Sequence, residues 1–320
     1  MKILLIGATG QIGYALTRAL SETDHQLSVL VRDGRKLPFP AGVRVIERST
    51  FDPDAFRAAL AGVEHVIYSV GLPEQFQFDT SIFQRVNYGL FKTFLEVLRE
   101  TPVKGLTYIS TYEVFQAIDG VIRVSHPLAD ESGLTPYFRA MLHAYRLALE
   151  FAAEHGIALT TIHPAGVYGG LNTGDGITTY LENLRAWRVW RSPLIVEGRF
   201  PVVHAASLAD AIIRSLGHQG AYIVSDQMTT LRDMALVLKE QANCYVPPGA
   251  PPWLVKPLAG LMEVAARALR RRPIVSLVQI EFIAKGWDPR PDEAVRELGW
   301  QPTSLEAGIQ RYLGEAIGRC

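Results

Sequence analysis

The segment Ile3–Gly13, ILLIGATGQIG, is the strongest indication of the fold in this sequence. Its apolar half is typical of a buried strand and its glycine-rich half of a turn, and a helical pattern follows from Tyr14 to Leu20. Glycines at this spacing permit a tight turn, a close approach of the backbone to a pyrophosphate, and close packing of helix on strand. Free N–H groups and the helix dipole favour an anion at such a helix N-terminus. We therefore predict a dinucleotide site rather than a purely structural turn. Its residues are Gly7, Thr9, Gly10, Gln11, Ile12 and Gly13.

The composition is that of a globular protein without a pronounced charge. The 320 residues are 48% hydrophobic and 20% charged, and the formal net charge is zero, so nothing favours nucleic acid as a partner. Two cysteines, Cys244 and Cys320, argue against a disulfide framework and suit a reducing compartment. We find no signal-peptide pattern, no metal-ligand motif, and no apolar run of the ~20 residues that a membrane-spanning helix needs. These features predict a cytoplasmic protein.

Strand and helix patterns alternate along most of the chain. The alternation predicts an α/β fold with a doubly wound, parallel Rossmann sheet, in which ligands bind at the carboxyl ends of the strands. Residues 1–172 with 200–245 are expected to form the dinucleotide-binding domain, and 173–199 with 246–320 a smaller, mostly helical, substrate-binding part. Pro247–Pro252 is predicted to be a stiff connector. The later strands are predicted at Gln26–Val31, Val43–Ile46, His65–Val70, Val103–Ser110, Ala158–His163 and Ala221–Val224. Helices are predicted at Asp54–Leu60, Thr80–Arg99, Tyr137–His155 and Ala206–Leu216.

Further motifs lie near the ends of the predicted strands and close to the C-terminus. They are Val86-Asn87, Tyr108–Thr111, Pro136-Tyr137, His163–Gly169, Val203-His204 with Asp210, and Glu297–Pro302. In this order, together with the glycine loop, they resemble the extended short-chain dehydrogenase/reductase family over nearly the whole chain. The resemblance includes epimerase/dehydratase-like members. Within the family, the chain most resembles the hydroxysteroid dehydrogenase and dihydroflavonol-reductase-like branches. It implies that Thr111 orients a substrate oxygen and that Tyr137 donates a proton. It also implies cofactor contacts at Val70, Asn87, Tyr137, Pro164 and Val167.

One position departs from the family pattern, in which the catalytic tyrosine is followed four residues later by a lysine. Here Tyr137 is followed by Met141. Because residues four apart share a helix face, the lysine would lie beside the phenol, bind the nicotinamide ribose and lower the phenol's pKa. A cation at ~4 Å, with an effective dielectric constant near 20, is worth about 4 kcal/mol, or roughly three pKa units. Met141 supplies none of this, although a neutral phenol is still able to donate a proton.

Other cations near the motif offer weaker replacements for the lysine. Tyr88 and Lys92 repeat the same spacing on the helix after the fourth strand, and we favour a packed tyrosine with a surface lysine over a lysine that reaches the site. Arg139 and His143 lie about 200° and 240° around the helix from Tyr137, so neither shares its face well.

The end of the second strand indicates which cofactor is bound. Arg32 follows this strand, with Asp33, Arg35 and Lys36 after it. An arginine here accommodates a 2′-phosphate, whereas an acid binds a ribose 2′-hydroxyl, so we favour NADP(H) over NAD(H), with Asp33 as the counter-argument. Ser49 stands where the family usually has an acid near the adenine.

The substrate is less well defined. An apolar helical pattern from Trp253 to Arg272 ends in three arginines. A core helix is the default interpretation, and a lid over an apolar substrate or a peripheral membrane contact through 253–272 is left open. The predicted substrate pocket comprises Phe76, Tyr112, Met141, Tyr168 and Trp187. Cations that a nucleotide diphosphate would need are available at Arg185, Arg188, Arg191, Arg199 and Arg290.

Three functions are compatible with these observations. The first is an NADP(H)-dependent reductase of a carbonyl or conjugated carbonyl on a fairly apolar or aromatic small molecule. The second is a nucleotide-sugar epimerase or dehydratase, and the third is a non-catalytic NAD(P)-binding regulator, for which Met141 is the motivation. The family resemblance also suggests a homodimer formed through the helices at Thr80–Arg99 and Tyr137–His155.

Overall fold

The structure is a computed structural model that describes residues 1–49, 52–171, 176–273 and 275–317. Cys320 and the predicted domain boundary at 172–173 lie outside the described residues. In chain order the strands are β1 (Lys2–Ile6), β2 (Gln26–Val31), β3 (Arg44–Glu47), β4 (His65–Tyr68), β5 (Gly105–Ile109), β6 (Val121–Ile122), β7 (Ala158–Pro164), β8 (Gly166–Tyr168), β9 (Ile195–Val196), β10 (Arg199–His204), β11 (Gly220–Val224), β12 (Gln227–Thr230), β13 (Gly249–Ala250) and β14 (Asp288–Pro289). The helices are α1 (Gln11–Ser21), α2 (Pro53–Leu60), α3 (Ser81–Phe83), α4 (Leu90–Leu98), α5 (Pro136–His155), α6 (Gly176–Arg185), α7 (Ala205–Arg214), α8 (Leu231–Ala242), α9 (Pro252–Leu269), α10 (Leu277–Lys285), α11 (Asp292–Leu298) and α12 (Leu305–Ile317).

The central sheet confirms the predicted doubly wound fold. Its seven strands are parallel and lie in the order β11-β7-β5-β4-β1-β2-β3. Successive residues of β1 face opposite sides: Ile3 and Leu5 pack with α1 and α7, whereas Leu4 and Ile6 pack with α2, α4 and α5. The strand order reverses between β4 and β2, on either side of β1, which places the ligand-binding crevice at the carboxyl end of β1.

The C-terminal part is built on a third apolar cluster beside the central sheet. The three-stranded sheet β12-β10-β8 packs there with α6, α8, α10 and α12. The connector predicted at Pro247–Pro252 is wrong in part, because β13 lies within it. Ile195 N donates to Pro248 O at 2.8 Å and Glu197 N donates to Ala250 O at 3.0 Å, which pairs β13 with β9 in parallel.

Two predicted helices also differ from the structure. The helix expected at Thr80–Arg99 is divided by a π-helical turn, Gln84–Gly89, between α3 and α4. Such turns are frequent near functional sites, and this one carries Asn87. The default interpretation of the 253–272 pattern as a core helix is wrong, because Val255, Ala259 and Ala266 are the buried residues of α9. None of the described helices is long and apolar enough to cross a membrane.

Candidate functional site

The glycine loop joins β1 to α1, and two of its glycines are required by packing within the chain. Gly7 has φ +100°, and a Cβ there would lie 2.5 Å from Ser69 O. A Cβ on Gly13 would lie 2.2 Å from Gly7 O. Gly10 differs, because a Cβ there would meet only Gly7 O, at 3.5 Å. The absence of a side chain at Gly10 therefore leaves the outer surface of the loop open, which is where a diphosphate would approach.

The N-terminus of α1 suits an anion. Gly10 is its N-cap residue, no side chain caps it, and its first turn carries no acid. The Gln11 side chain is directed elsewhere, since its Nε2 donates to Gly169 O at 2.8 Å and to Thr178 Oγ1 at 2.9 Å. The main-chain N–H groups of this turn are thus the groups that fit a dinucleotide phosphate.

The other predicted cofactor residues lie along the same carboxyl edge of the sheet. Val70 follows β4, Pro164 ends β7, and Val167 lies on β8. Asn87 is 1% exposed and uses its amide on the loop after β4: Leu72 N donates to Oδ1 at 2.7 Å, and Nδ2 donates to Leu72 O at 3.0 Å. In this structure Asn87 therefore shapes the loop that borders the crevice.

Basic residues follow the adjacent strands β2 and β3. Arg32 comes directly after β2 and is exposed. Arg48 N donates to Val31 O at 2.9 Å, so the backbones carrying the two arginines are neighbours. The Asp33 carboxylate accepts from Arg35 N at 3.0 Å and Arg35 Nε at 3.2 Å, and it caps the short turn that follows β2. Ser49 is exposed at the end of β3, and the side chain of residue 36 lies outside the described atoms.

Thr111 lies at the carboxyl end of β5, where a side chain of β7 holds its backbone by a hydrogen bond. His163 Nδ1 donates to Thr111 O at 3.0 Å, and His163 Nε2 lies 2.9 Å from Thr161 Oγ1. Burial lowers the pKa of His163 to about 4, so the ring is neutral, with its proton on Nδ1 and Nε2 accepting from Thr161. Beside it, the Ser110 hydroxyl is buried and has no hydrogen-bond partner among the described residues.

Tyr137 is the second residue of α5, and its ring lies edge-on to Phe83 at 5.6 Å and to Phe138 at 4.9 Å. Thr135 starts this helix: its hydroxyl accepts from Phe138 N at 3.4 Å and donates to Glu74 Oε1 at 2.7 Å. Burial raises the pKa of Tyr137 above its usual value, and Glu74 and Glu113 raise it further when they are ionised. The phenol therefore keeps its proton.

Met141 is 6% exposed and packs in the apolar cluster between the sheet and α4 and α5. It brings no cation to the phenol. Tyr88 packs against the same cluster, and Lys92 is exposed on α4. Of the other cations near the motif, His143 lies 3.2 Å from the Glu131 carboxylate, and the exposed Arg139 donates to a backbone carbonyl at 3.4 Å.

A contact between a lysine and a buried glutamate, which the sequence motifs did not reveal, lies beside the tyrosine. Lys285, at the end of α10, places its Nζ 3.0 Å from Glu113 Oε1 and 4.7 Å from the ring centres of Phe138 and Trp287. Glu113 is 2% exposed, and burial raises its pKa to about 8 even though Lys285 opposes the shift. Burial raises the pKa of Glu74 to about 7. The site thus combines a protonated phenol with two carboxyls that titrate near neutrality.

Tyr137 borders a cavity of about 80 Å³ between the loop at residues 74–80, the start of α5, and α9. Arg267 of α9 covers it, with its guanidinium 4.9 Å from the Phe76 ring centre and Nη1 donating to Phe78 O at 3.3 Å. Among the residues that line the cavity are Glu74, Phe76, Phe83, Tyr137, Glu263 and Arg267.

Of the five predicted pocket residues, Phe76 lines this cavity. Tyr112 is buried next to Glu113, and Met141 lies in the core. Tyr168 is buried in the C-terminal cluster, edge-on to His204 at 5.2 Å. Trp187 is 57% exposed at the surface. The other four, Tyr112, Met141, Tyr168 and Trp187, do not line the cavity. The described residues contain no group of three His, Cys, Asp or Glu side chains that could hold a metal ion.

Comparison with known proteins agrees with this architecture. The sequence model of the NAD-dependent epimerase/dehydratase family matches residues 3–224. No curated protein matches the chain. Among solved structures, a nucleoside-diphosphate-sugar epimerase from Pseudomonas aeruginosa is 18% identical, with a TM-score of 0.78 over 100% of this chain and 98% of that one.

Two further structures were solved with a substrate or a cofactor bound. UDP-glucose 4-epimerase from Thermotoga maritima, solved with UDP-glucose, is 17% identical, with a TM-score of 0.77 over 100% of this chain and 99% of that one. UDP-glucuronic acid 4-epimerase from Bacillus cereus, in complex with NAD, is 15% identical, with a TM-score of 0.73 over 98% of this chain and 96% of that one. At these identities the likeness shows the fold.

Proposed function

Because the chain belongs to the NAD-dependent epimerase/dehydratase family, we propose that it is an oxidoreductase whose substrate carbon, a carbonyl or a carbinol, lies between Thr111 and Tyr137. One observation carries this proposal. The glycine loop, Thr111 and Tyr137 all lie at the carboxyl edge of the central sheet, where this type of fold binds its ligands. A bound nicotinamide dinucleotide would supply hydride transfer.

The surroundings of Tyr137 favour its protonated form, which is the form that a proton donor needs. A phenol whose pKa is raised stays neutral, so it is a poor base and retains the proton that a reduced carbonyl oxygen needs. The phenolate would lie near Glu74 and Glu113. Their pKa values are raised to about 7 and about 8, so at neutral pH Glu74 is partly protonated and Glu113 is largely protonated. The phenol is therefore in the protonation state that carbonyl reduction requires, and alcohol oxidation requires the loss of that proton.

For the cofactor we propose NADP(H) over NAD(H). Arg32 and Arg48 follow neighbouring strands at the place where the adenosine ribose lies in such folds, and both suit a 2′-phosphate. Asp33, the residue that argued for NAD(H), is engaged with Arg35 instead. The NAD complex of the Bacillus cereus epimerase supports the opposite choice. Affinities for NADPH and NADH, measured on the same preparation, decide between them.

For the substrate we propose a fairly apolar or aromatic carbonyl compound. The cavity beside Tyr137 has the rings of Phe76 and Phe83 in its wall, and its charged groups are the carboxyls of Glu74 and Glu263 and one cation, Arg267. A nucleoside diphosphate would bring negative charge towards two acids.

A nucleotide-sugar epimerase or dehydratase is the second candidate, and the comparisons fit it better than the first, since the three structures described above are epimerases of this kind. The arginines that the sequence offered for a diphosphate do not line the cavity. Arg191 stacks on Trp190 at 4.6 Å, and Arg290 lies 3.3 Å from Asp288. On this geometry a sugar nucleotide would need a binding surface outside the cavity.

The deciding experiment identifies the nucleotide that the purified chain retains, by mass spectrometry, and then measures hydride transfer to ketones and to UDP- and dTDP-sugars. Reduction of apolar or aromatic ketones with NADPH supports the first candidate, and retained NAD with turnover of a sugar nucleotide supports the second. Tyr137→Phe and Thr111→Val should each lower kcat/KM by at least tenfold, whereas the control Tyr88→Phe should not. Cofactor binding without any hydride transfer would contradict both candidates and leave a non-catalytic binding protein.

A further inference from the structure

Helix α9 has two apolar faces, although a surface helix of a globular protein normally has one. Its buried residues, Val255, Ala259 and Ala266, fall within a sector of about 40° at 100° per residue. Away from that sector lie large apolar side chains that are 53% to 74% exposed. They are Trp253, Leu254, Leu258, Leu261, Val264 and Leu269.

The exposed apolar face is continuous. Together with the exposed Pro257, Ala265 and Ala268, these six residues fill a sector of about 160° that contains no charged residue. We name this surface the α9 apolar face. Contiguous exposed apolar surface of this kind marks an interaction site rather than ordinary solvent-facing structure.

The charged residues of α9 lie together on a narrow flank and are engaged with the rest of the protein. Lys256 Nζ lies 3.1 Å from Glu281 Oε1, and Glu263 Oε1 accepts from Leu277 N at 2.8 Å. Arg267 binds the carbonyl of Phe78. The helix is thus held by one flank with its apolar face turned outward, and the same flank borders the cavity beside Tyr137.

A second exposed segment lies next to the start of α9. Trp187, Val189 and Trp190 are 57%, 41% and 66% exposed around the short turn Val189–Arg191. The Trp187 ring centre is 6.3 Å from that of Tyr245, and the pairing of β9 with β13 brings this segment beside the strand that leads into α9.

Positive charge accompanies both segments. Arg270, Arg271 and Arg272 directly follow α9, and the sequence has no acid between Glu263 and Glu281. The tryptophan segment carries Arg185, Arg188 and Arg191, with no acid between Glu182 and Glu197. Because the whole chain has zero net charge, this basic surplus is local.

We propose that the α9 apolar face and the Trp187–Arg191 segment dock the protein onto the surface of a bilayer that contains anionic lipids. Leucine and tryptophan side chains would enter the interfacial region while the arginines contact lipid phosphates. The helix lies on the bilayer, since no described helix is able to span it. Docking in this orientation places the substrate cavity close to the lipid surface. The proposal does not depend on the catalytic role of Tyr137.

Vesicle flotation of the full-length protein tests the proposal. We expect at least tenfold stronger binding to phosphatidylcholine vesicles with one part in three phosphatidylserine than to phosphatidylcholine alone, and weaker binding in high salt. Leu258→Glu with Leu261→Glu should reduce binding at least tenfold. Arg270→Glu with Arg271→Glu should remove the preference for phosphatidylserine. The matched control is Leu236→Glu, an exposed leucine on α8 that is 43% exposed, and it should bind as the unaltered protein does.

Two measurements keep a negative result interpretable. Thermal unfolding should be unchanged in the α9 variants because the substituted side chains are exposed, and Trp253→Ser, at 74% exposure, repeats the test with a smaller change. Failure of the unaltered protein to float, or equal flotation of the folded α9 variants, would overturn the proposal. So would a dimer that the α9 variants convert to a monomer in light scattering without vesicle binding, since a second copy would then cover this face.

Discussion

Restoring the missing cation is the sharpest test of how Tyr137 works. Position 141 lies one helical turn after Tyr137 on the same face of α5, so Met141→Lys brings an ammonium group towards the phenol. At ~4 Å, with an effective dielectric constant near 20, the attraction to a phenolate is about 4 kcal/mol, which corresponds to a pKa lowered by roughly three units. We expect the substitution to reverse most of the upward shift that burial, Glu74 and Glu113 impose on Tyr137.

The same substitution carries a cost in stability that the structure defines. Met141 is 6% exposed in an apolar cluster, so its loss removes about 1.5–3 kcal/mol of burial, and desolvation of the ammonium adds to this. The melting temperature should therefore fall. Met141→Leu preserves volume and polarity, should cost less than about 1.5 kcal/mol, and is the matched control.

The measurement is the pH dependence of kcat/KM in both directions, together with an ultraviolet titration of the tyrosinate, which needs no substrate. In Met141→Lys the rate of alcohol oxidation should begin to rise at a pH roughly three units lower, because the phenolate forms earlier. Met141→Leu should keep the original profile. A folded Met141→Lys protein whose profile and titration match those of the unaltered chain would refute the proposed position of the phenol beside residue 141.

Three further predictions follow from the site. Arg32→Ala should weaken NADPH binding at least tenfold and leave NADH binding unchanged, with Arg35→Ala as the control in the same fluorescence titrations. Gly13→Ala should reduce both stability and dinucleotide affinity, because its Cβ would lie 2.2 Å from a backbone oxygen, whereas Gly314→Ala, with no atom within 4 Å, should be tolerated in thermal unfolding. Glu113 holds its proton up to about pH 8 when folded but only to about 4.5 when unfolded, so its contribution to the free energy of unfolding is lost as pH rises through this range. Glu113→Gln should remove that loss, which urea titrations at several pH values measure. The titrations are made above pH 6.5, the ordinary pKa of a histidine, because the buried histidines are then largely neutral in both the folded and the unfolded chain.

The local parts of the fold were predictable because their signals are local. Ile3–Gly13 contains its own strand, turn and helix start, and Gln26–Val31 was placed with the bounds that the structure has. The division of the predicted helix at Thr80–Arg99 was missed, since the change from i−4 to i−5 hydrogen bonds in a π-helical turn has no fixed sequence signature. β13 was missed because a two-residue strand between prolines pairs only through the distant β9.

The site was predictable where a motif names the residue and unpredictable where tertiary packing supplies it. Thr111 and Tyr137 were identified because their motifs resemble those of the family, and their roles stay predictions. Lys285 was missed because it approaches Glu113 from a helix in the C-terminal part, and no sequence pattern links the two. Trp187 was expected in the pocket because aromatic residues suit apolar substrates, but composition does not indicate which way a side chain faces.

Two features of the site act on the pKa of Tyr137 in the same direction. Met141 replaces the lysine that would lower this pKa, and burial with the carboxyls of Glu74 and Glu113 raises it. A lysine would lower the pKa of the phenol and make the phenolate available as a base, whereas burial, together with Glu74 and Glu113, raises that pKa and keeps the proton in place. A tyrosine whose pKa lies near neutral pH is able to donate and to accept a proton in the same turnover. Epimerisation needs both directions within one turnover, since a carbinol is oxidised and then reduced. Because the pKa of Tyr137 is raised, we expect alcohol oxidation to require a higher pH here than it would with a lysine at position 141, and the pH dependence of oxidation by Met141→Lys tests this.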